Sequence, residues 1–354
     1  MTVAGGESAG ADSLALGMTT EAAGENSLPY GLEVNMSRMG QLGAVGLALE
    51  STWAQPAAAS AYLEVTHADI KPVIGYEVMN TVRGTRARRR VRAGAMLCSG
   101  PVSFDVCAGA MGEALKATLG TVTTTLVASA GGNAVYQHTF TRCDTTFLPS
   151  LTVEQNMGGL SSRQVAGVRV NQLSLALAPG RSLMADLDCR GREQTLVAPT
   201  TPTYTPEQPL HHSGFTATAD GQPLEVEELL VRFNNGLVDD IWTAGAAGKL
   251  GKLPAGAFSV GGRFTMACES TAAHEAFVNG TPTNLNLKVA GASVVGTWGY
   301  GIEITLPHVR YFSANVPLAP GRLVYDIAFE ALLDTSQQPA LDARCRLWNA
   351  KAAY

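Results

Sequence analysis

The stretch AGAMLCSGPVSFDV at residues 93–106 has a near twin in AGAFSVGGRFTMAC at residues 255–268, and the two read together decide the fold. In the first, Ala93-Gly94-Ala95 leads to Gly100, after which Val102, Phe104 and Val106 alternate with Ser103 and Asp105. In the second, Ala255-Gly256-Ala257 leads to Gly262, and Phe264, Met266 and Cys268 alternate with Thr265 and Ala267. A period of two puts successive side chains on opposite faces of an extended chain, so each segment predicts a strand with one buried face.

The segments C-terminal to these strands match as well. Met111, Ala114, Leu115, Thr118 and Leu119 fall on one face of a short helix that Gly120 stops. Ala273, Ala276 and Phe277 define its counterpart, with Ser270 or Thr271 as cap and Gly280 as stop. Further along, LAPGR occurs twice, at Leu177–Arg181 and Leu318–Arg322. Proline presets φ and glycine accepts the positive φ of a type II turn, so both predict hairpins. Beyond the turn Leu183, Ala185 and Leu187 alternate with Met184 and Asp186, and Leu323, Tyr325 and Ile327 alternate with Val324 and Asp326. One residue must be skipped to align them, which a β-bulge would absorb. Three matches in one order predict a duplicated unit.

The 354 residues, 46% of them hydrophobic, suffice for two cores. Thr, Val and Leu recur in short runs broken by Gly, Pro, Asn and Asp, so the fold class expected is mainly β. Residues 1–28 are rich in Gly, Ala, Ser, Thr and Glu without periodicity and predict a flexible arm. The segment APTTPTYTPEQP at 198–209 predicts a linker, because its prolines remove backbone donors and favour extended chain. The expected organisation is therefore the arm, a domain at 31–197, the linker, and a domain at 210–354.

Several function classes lack their signatures. The net charge of -5 argues against a protein that holds nucleic acid by neutralising phosphates. The cysteines Cys98, Cys107, Cys143, Cys189, Cys268 and Cys345 form no C-x-x-C pair, and reduced thiols at apolar strand positions fit assembly in a cytoplasm. The histidines are dispersed, and the adjacent His211 and His212 point to opposite faces if extended, so no metal site is expected. No serine-hydrolase elbow or P-loop occurs, and Gly40, Gly43 and Gly46 lack dinucleotide-binding spacing. No enzyme and no cofactor are expected. The most apolar run, Val289–Thr305, is glycine-rich and carries Glu303, and no signal peptide is evident, so no membrane partner is expected.

The sharpest charge feature is Arg83, Arg86, Arg88, Arg89, Arg90 and Arg92. With no aromatic residues interleaved for base stacking, the run is a poor single-strand platform. A solvated strand face and a contact with a neighbouring subunit are the other readings. Guanidinium groups suit the contact best, because they pair carboxylates bidentately.

In order along the chain, GQLGAVGLALESTW (Gly40–Trp53), RGTRARRRVRAGAMLCSG (Arg83–Gly100), LKATLG (Leu115–Gly120), SLTVEQN (Ser150–Asn156), VRFNNGL (Val231–Leu237) and ITLPHVRYF (Ile304–Phe312) resemble the major tail tube proteins of siphoviruses. The resemblance runs from about residue 31 to the C-terminus and rests on the order of these segments. It implies two tandem β-sandwich tube domains, each with one flanking helix. It also implies rings of three chains with an inner β-barrel, stacked into a tube that conducts genomic double-stranded DNA without binding it specifically. The implied partners are further copies of the chain, a tape-measure protein, a tail-tip initiator and a tail terminator, and the implied location is the virion tail, assembled in the host cytoplasm. A two-domain decoration or adhesion module of a phage particle is the alternative. On the tube reading, several of Asp105, Asp186, Asp188, Asp326 and Glu330, opposite the core by alternation, are expected to line the lumen, where an acidic wall would repel phosphate; the alternative is that they only keep the outer surface soluble.

Overall fold

The computed structural model describes residues 39–354 apart from 83, 89 and 319. The expected N-terminal arm, Arg83 and Arg89 lie outside the described residues. The fold is mainly β, as the alternation predicts, with 18 strands in one hydrogen-bonded network among the described residues. In chain order the first run comprises β1 (Ala44–Leu49), β2 (Ala61–Ala68), β3 (Lys71–Met79), β4 (Arg90–Asp105), helix α1 (Met111–Leu119), β5 (Gly120–Ala130), β6 (Asn133–Arg142), β7 (Leu151–Asn156), β8 (Ser162–Leu177), β9 (Met184–Gly191) and β10 (Glu193–Val197). The second comprises β11 (Phe215–Ala219), β12 (Gln222–Pro223), β13 (Val226–Asn234), β14 (Ser259–Ala267), helix α2 (Ala272–Asn279), β15 (Thr283–Val295), β16 (Trp298–Asn315), β17 (Val324–Ala331) and β18 (Arg344–Asn349).

A six-stranded barrel closes in the order β1-β2-β4-β9-β8-β7, with β7 returning to β1. Closure removes sheet edges that would otherwise stay unpaired. Val102, Phe104, Leu187, Leu173 and Leu175 fill its inside together with Met111, Leu115 and Leu119 of α1. The second run repeats the same cyclic order as β11, β12 with β13, β14, β17, β16 and β15, and β15 returns to β11.

The repetition extends to single residues. Val102 faces Leu187 and Phe104 faces Ala185; Phe264 faces Ile327 and Met266 faces Tyr325. Three irregularities recur in both runs. Thr66 is extra between Val65–Phe104 and His67–Ser103, as Glu227 is between Val226–Met266 and Glu228–Thr265. Asn171 is extra between Val170–Cys189 and Gln172–Asp188, as Phe312 is between Tyr311–Phe329 and Ser313–Ala328. The ladder also slips alike between Leu151–Val168 and Val153–Val165, and between Thr283–Val309 and Leu285–Leu306. A bulge re-aims a strand, so its repetition preserves the bend of the barrel wall as well as its order.

The residue skipped in aligning the two LAPGR segments is not a ladder bulge. It is Ser182, inside the first turn, where it forms an isolated bridge with His211. The turn itself is as expected: Gly180 has φ 68° and the Arg181 N–H donates to the Ala178 carbonyl at 3.1 Å. Gly120 and Gly280 end α1 and α2 with positive φ. Thr271 is the N-cap of α2, yet its hydroxyl donates to the Glu275 carboxylate at 2.6 Å rather than serving the backbone.

Two insertions distinguish the first run. Between α1 and β7 it carries the hairpin β5–β6, where the second run passes almost directly from α2 to β15. Strand β6 pairs with β18, which pairs in turn with β16, so the inserted hairpin extends the second barrel's sheet. The other insertion is the arm formed by β3 and the first half of β4. At the corresponding point of the second run, β13 stops at Asn234 and residues 235–258 fold back without a long hairpin.

Candidate assembly surfaces

The two barrels share a wall. Strand β8 pairs with β9 on one edge and, through Gln172–Leu177, with Asn234–Leu229 of β13 on the other. The result is a continuous antiparallel sheet in the order β2-β4-β9-β8-β13-β14-β17-β16. Buried cross-seam pairs such as Leu175–Val231 and Leu173–Phe233 hold it. Asn235 adds polar clamps: its Nδ2 donates to the Val170 carbonyl at 2.9 Å and to the Thr118 carbonyl of α1 at 3.1 Å. Arg169 of β8 is buried, donates to the Leu148 carbonyl at 2.8 Å and to the Leu253 carbonyl, and lies against Trp53 and Phe147. Burial lowers its pKa to about 10.

The sheet's other face is polar. Asp105, Asp186, Asp188, Asp326 and Glu330 all lie on it, each unburied and each alternating with core residues. Sequence alternation thus places the five on one face of one sheet. Glu64 and Glu228 join them, because they face Asp105 and Thr265 across the ladders. The cations on this face include Lys71, Arg190, Arg232, Arg263 and Arg310. Asp188 is paired with Arg190 and accepts from Asn171 Nδ2 at 2.8 Å, while Arg190 Nε also reaches Asp239 at 3.0 Å. Partial burial, then the charge of Asp188, pushes the Asp186 carboxyl up from its ordinary value. A cleft of about 770 Å³ crosses the seam on this side, bordered by Asp105, Arg181, Glu228, Arg263 and Asp326. Its charges are of both signs, and among its lining residues no nucleophile is paired with a base.

The arginine run divides between strand and loop. Arg90 and Arg92 lie on β4, facing Met79 and Glu77, and Arg86 and Arg88 lie in the exposed loop of the arm. The arm's opposite face carries Tyr76, Val78 and Val91, all exposed. At its base the Met96 N–H donates to the Gly248 carbonyl at 2.7 Å, and Lys249 pairs with Glu193, so the 235–258 segment braces it. The sequence pattern marks the arginines but not the apolar back of the hairpin, because single valines and a tyrosine between charges do not announce a face until the register is known.

Among the described residues the shared sheet is only partly paired along its two outer edges, and it carries a hairpin arm and one polar face, which are features of a subunit that assembles. A family model described as phage tail tube protein matches residues 40–331. The chain belongs to the phage tail tube protein family. A comparison with curated proteins found no match. The family match makes the protein a structural component of a phage tail, and its β-rich fold agrees with that role. Among the described residues no cluster of His, Cys, Asp or Glu is arranged to hold a metal ion, and no helix is long and apolar enough to cross a membrane. In this tail tube protein the segment 198–209 does not run free of the first barrel: Thr200 donates through its N–H and hydroxyl to Glu154 at 3.1 and 2.9 Å, and Glu207 accepts from the Gly109 N–H at 2.6 Å.

Proposed function

We propose that this tail tube protein is the repeating subunit of a siphovirus tail tube, built from two tandem tube domains at 31–197 and 210–354 joined by 198–209. Three chains close each ring, rings stack into a hollow tube, and genomic DNA passes through the lumen without specific contacts. The reading rests above all on the repeated strand order and register, which makes one chain two equivalent units already joined side by side. A chain of two equivalent units needs only half as many copies to close a ring as a single unit does.

In this scheme the polar face bearing Asp105, Asp186, Asp188, Asp326 and Glu330 lines the lumen, and the arginine run of Arg83, Arg86, Arg88, Arg89, Arg90 and Arg92 contacts the neighbouring ring. The tape-measure protein sets the length around which rings stack, the tail-tip initiator starts the stack and the terminator ends it, in the host cytoplasm. The subunit's contribution is geometric and electrostatic, with no chemical step. Negative-stain microscopy of the purified protein tests this reading. Rings or hollow tubes are expected. A population that stays monomeric under all concentrations and salts tried, including seeding with tail tips, would overturn it.

A further inference from the structure

The chain contains a worked example of how one barrel joins the next, and the same joint is left open at its ends. Leu177 of β8 faces Leu229 of β13 across the internal seam and is 3% exposed. Its counterpart in the second LAPGR segment, Leu318, is 93% exposed. Strand β16 pairs with β15 only as far as Val309, so on that side the backbone from Arg310 to Asn315 has no strand partner among the described residues. At the far end of the sheet, β1 covers β2 only over Ala61–Leu63, and among the described residues the chain from Glu64 into the start of β3 has no strand on its outer side. These two open edges are the counterparts of the paired edges of β8 and β13.

We infer that the open edge of β16 pairs with the β2–β3 edge of a second copy of this chain in the register of the internal seam. The repeated ladders fix that register. Leu229 and Arg232 of β13 correspond to Ala68 and Lys71, since Leu229 faces Phe264 where Ala68 faces Val102, and Arg232 faces Gly261 where Lys71 faces Ser99. Ser174 of β8 corresponds to Asn315, since Ser174 faces Asp186 where Asn315 faces Asp326. Internally Leu177 faces Leu229 and Ser174 faces Arg232. Between copies, therefore, Leu318 packs on Ala68 and Asn315 faces Lys71.

The joint is head-to-tail, so it propagates until rotation closes it. Burying a leucine that is almost fully exposed supplies part of the driving force, and pairing of the open backbone supplies direction. Pro72 sits on the β3 edge and Pro317 lies just beyond β16, and each removes a backbone donor there. Such gaps penalise pairing in shifted registers and so favour the one partner whose register accommodates them.

This inference rests on the tube reading, and its test separates the two. Full-length protein carrying Lys71→Cys with Asn315→Cys is assembled, oxidised mildly and run on denaturing gels, beside each single variant and a shifted pair, Lys71→Cys with Ser313→Cys. The 71/315 pair is expected to give covalent oligomers, with the singles and the shifted pair giving at least fivefold less. Leu318→Asp, at a side chain almost fully exposed in the free subunit, is expected to leave the unfolding midpoint unchanged and abolish ring formation. Tubes that form yet cross-link only in another register, or tubes unaffected by Leu318→Asp, would overturn the seam and leave the tube reading standing. Failure of the unmodified chain to associate would overturn both.

Discussion

Asn235 shows how much of the junction between barrels rests on single polar groups. It is 3% exposed, and its side chain satisfies two carbonyls, on β8 and at the end of α1, that no water can reach easily. Asn235→Ala strands both acceptors, and an unsatisfied buried group costs about 1–3 kcal/mol. Urea unfolding of the unassembled subunit should show a midpoint lowered accordingly, with Asn234→Ala, half-exposed and bonded through its side chain to the Gly236 N–H, as the mild control. Asp186 makes a pH-dependent counterpart. Because partial desolvation and the charge of Asp188 raise its pKa in the folded chain, the fold binds its proton more tightly than the unfolded chain does. Its contribution is then favourable below the ordinary carboxylate range and is lost as pH rises through the folded value. Asp186→Asn should therefore stabilise the subunit at pH 7, and the gain should vanish when unfolding is repeated in acid below the ordinary carboxylate range.

At the scale of elements, the β3–β4 arm has little packing of its own. Two strands with both faces exposed are marginal in water, so its order depends on the brace at Gly248 and on whatever covers Tyr76, Val78 and Val91. Replacing Arg88, Arg89 and Arg90 with Ser should change subunit stability by less than about 0.5 kcal/mol, since Arg88 and Arg90 are exposed and exposed charges contribute little. The same variant should polymerise poorly, as judged by sedimentation, whereas tubes formed as readily as by the unmodified chain would remove the arm from ring stacking. The arginines, the two repeated strands, both helices and the LAPGR turns are legible in the sequence because each carries a local pattern: alternation, a glycine stop, or a Pro-Gly pair. The correspondence of β1 with β11, or of β7 and β8 with β15 and β16, is not. AVGLAL and FTATA share almost nothing residue by residue, and only the backbone ladder, which any β-compatible side chain can occupy, preserves the match. The β5–β6 insertion escapes notice for the opposite reason: its alternation reads as one more strand pair, and nothing local says that it pairs with β18.

For the whole molecule, the order of strands in the shared sheet decides which surfaces can face a lumen. The sheet has one face turned to the barrel cores and one turned to solvent, and lateral repetition of the chain wraps the solvent face around either the inside or the outside of a ring. We expect it inside, where strands of neighbouring units meet edge to edge. Image averaging of tubes should then show three chains in each ring, and six would refute the arrangement. The electrostatic consequence can be tested independently of any map. Duplex DNA carries about one charge per 1.7 Å of axis, and each phosphate neutralised by a basic wall adds binding that salt must reverse. Carboxylates at Asp186, Asp188 and Asp326 oppose such binding at short range, while mobile ions screen the field beyond about 10 Å at 0.1 M salt. Tubes assembled with Asp186→Lys and Asp326→Lys, two exposed positions on strands that do not form the seam, should keep their form but retain DNA. In particles carrying them, ejection triggered in vitro should slow and recover as salt is raised. Ejection at the unmodified rate in low salt would mean that these side chains do not meet the DNA, and the polar face would then belong to the tube's exterior.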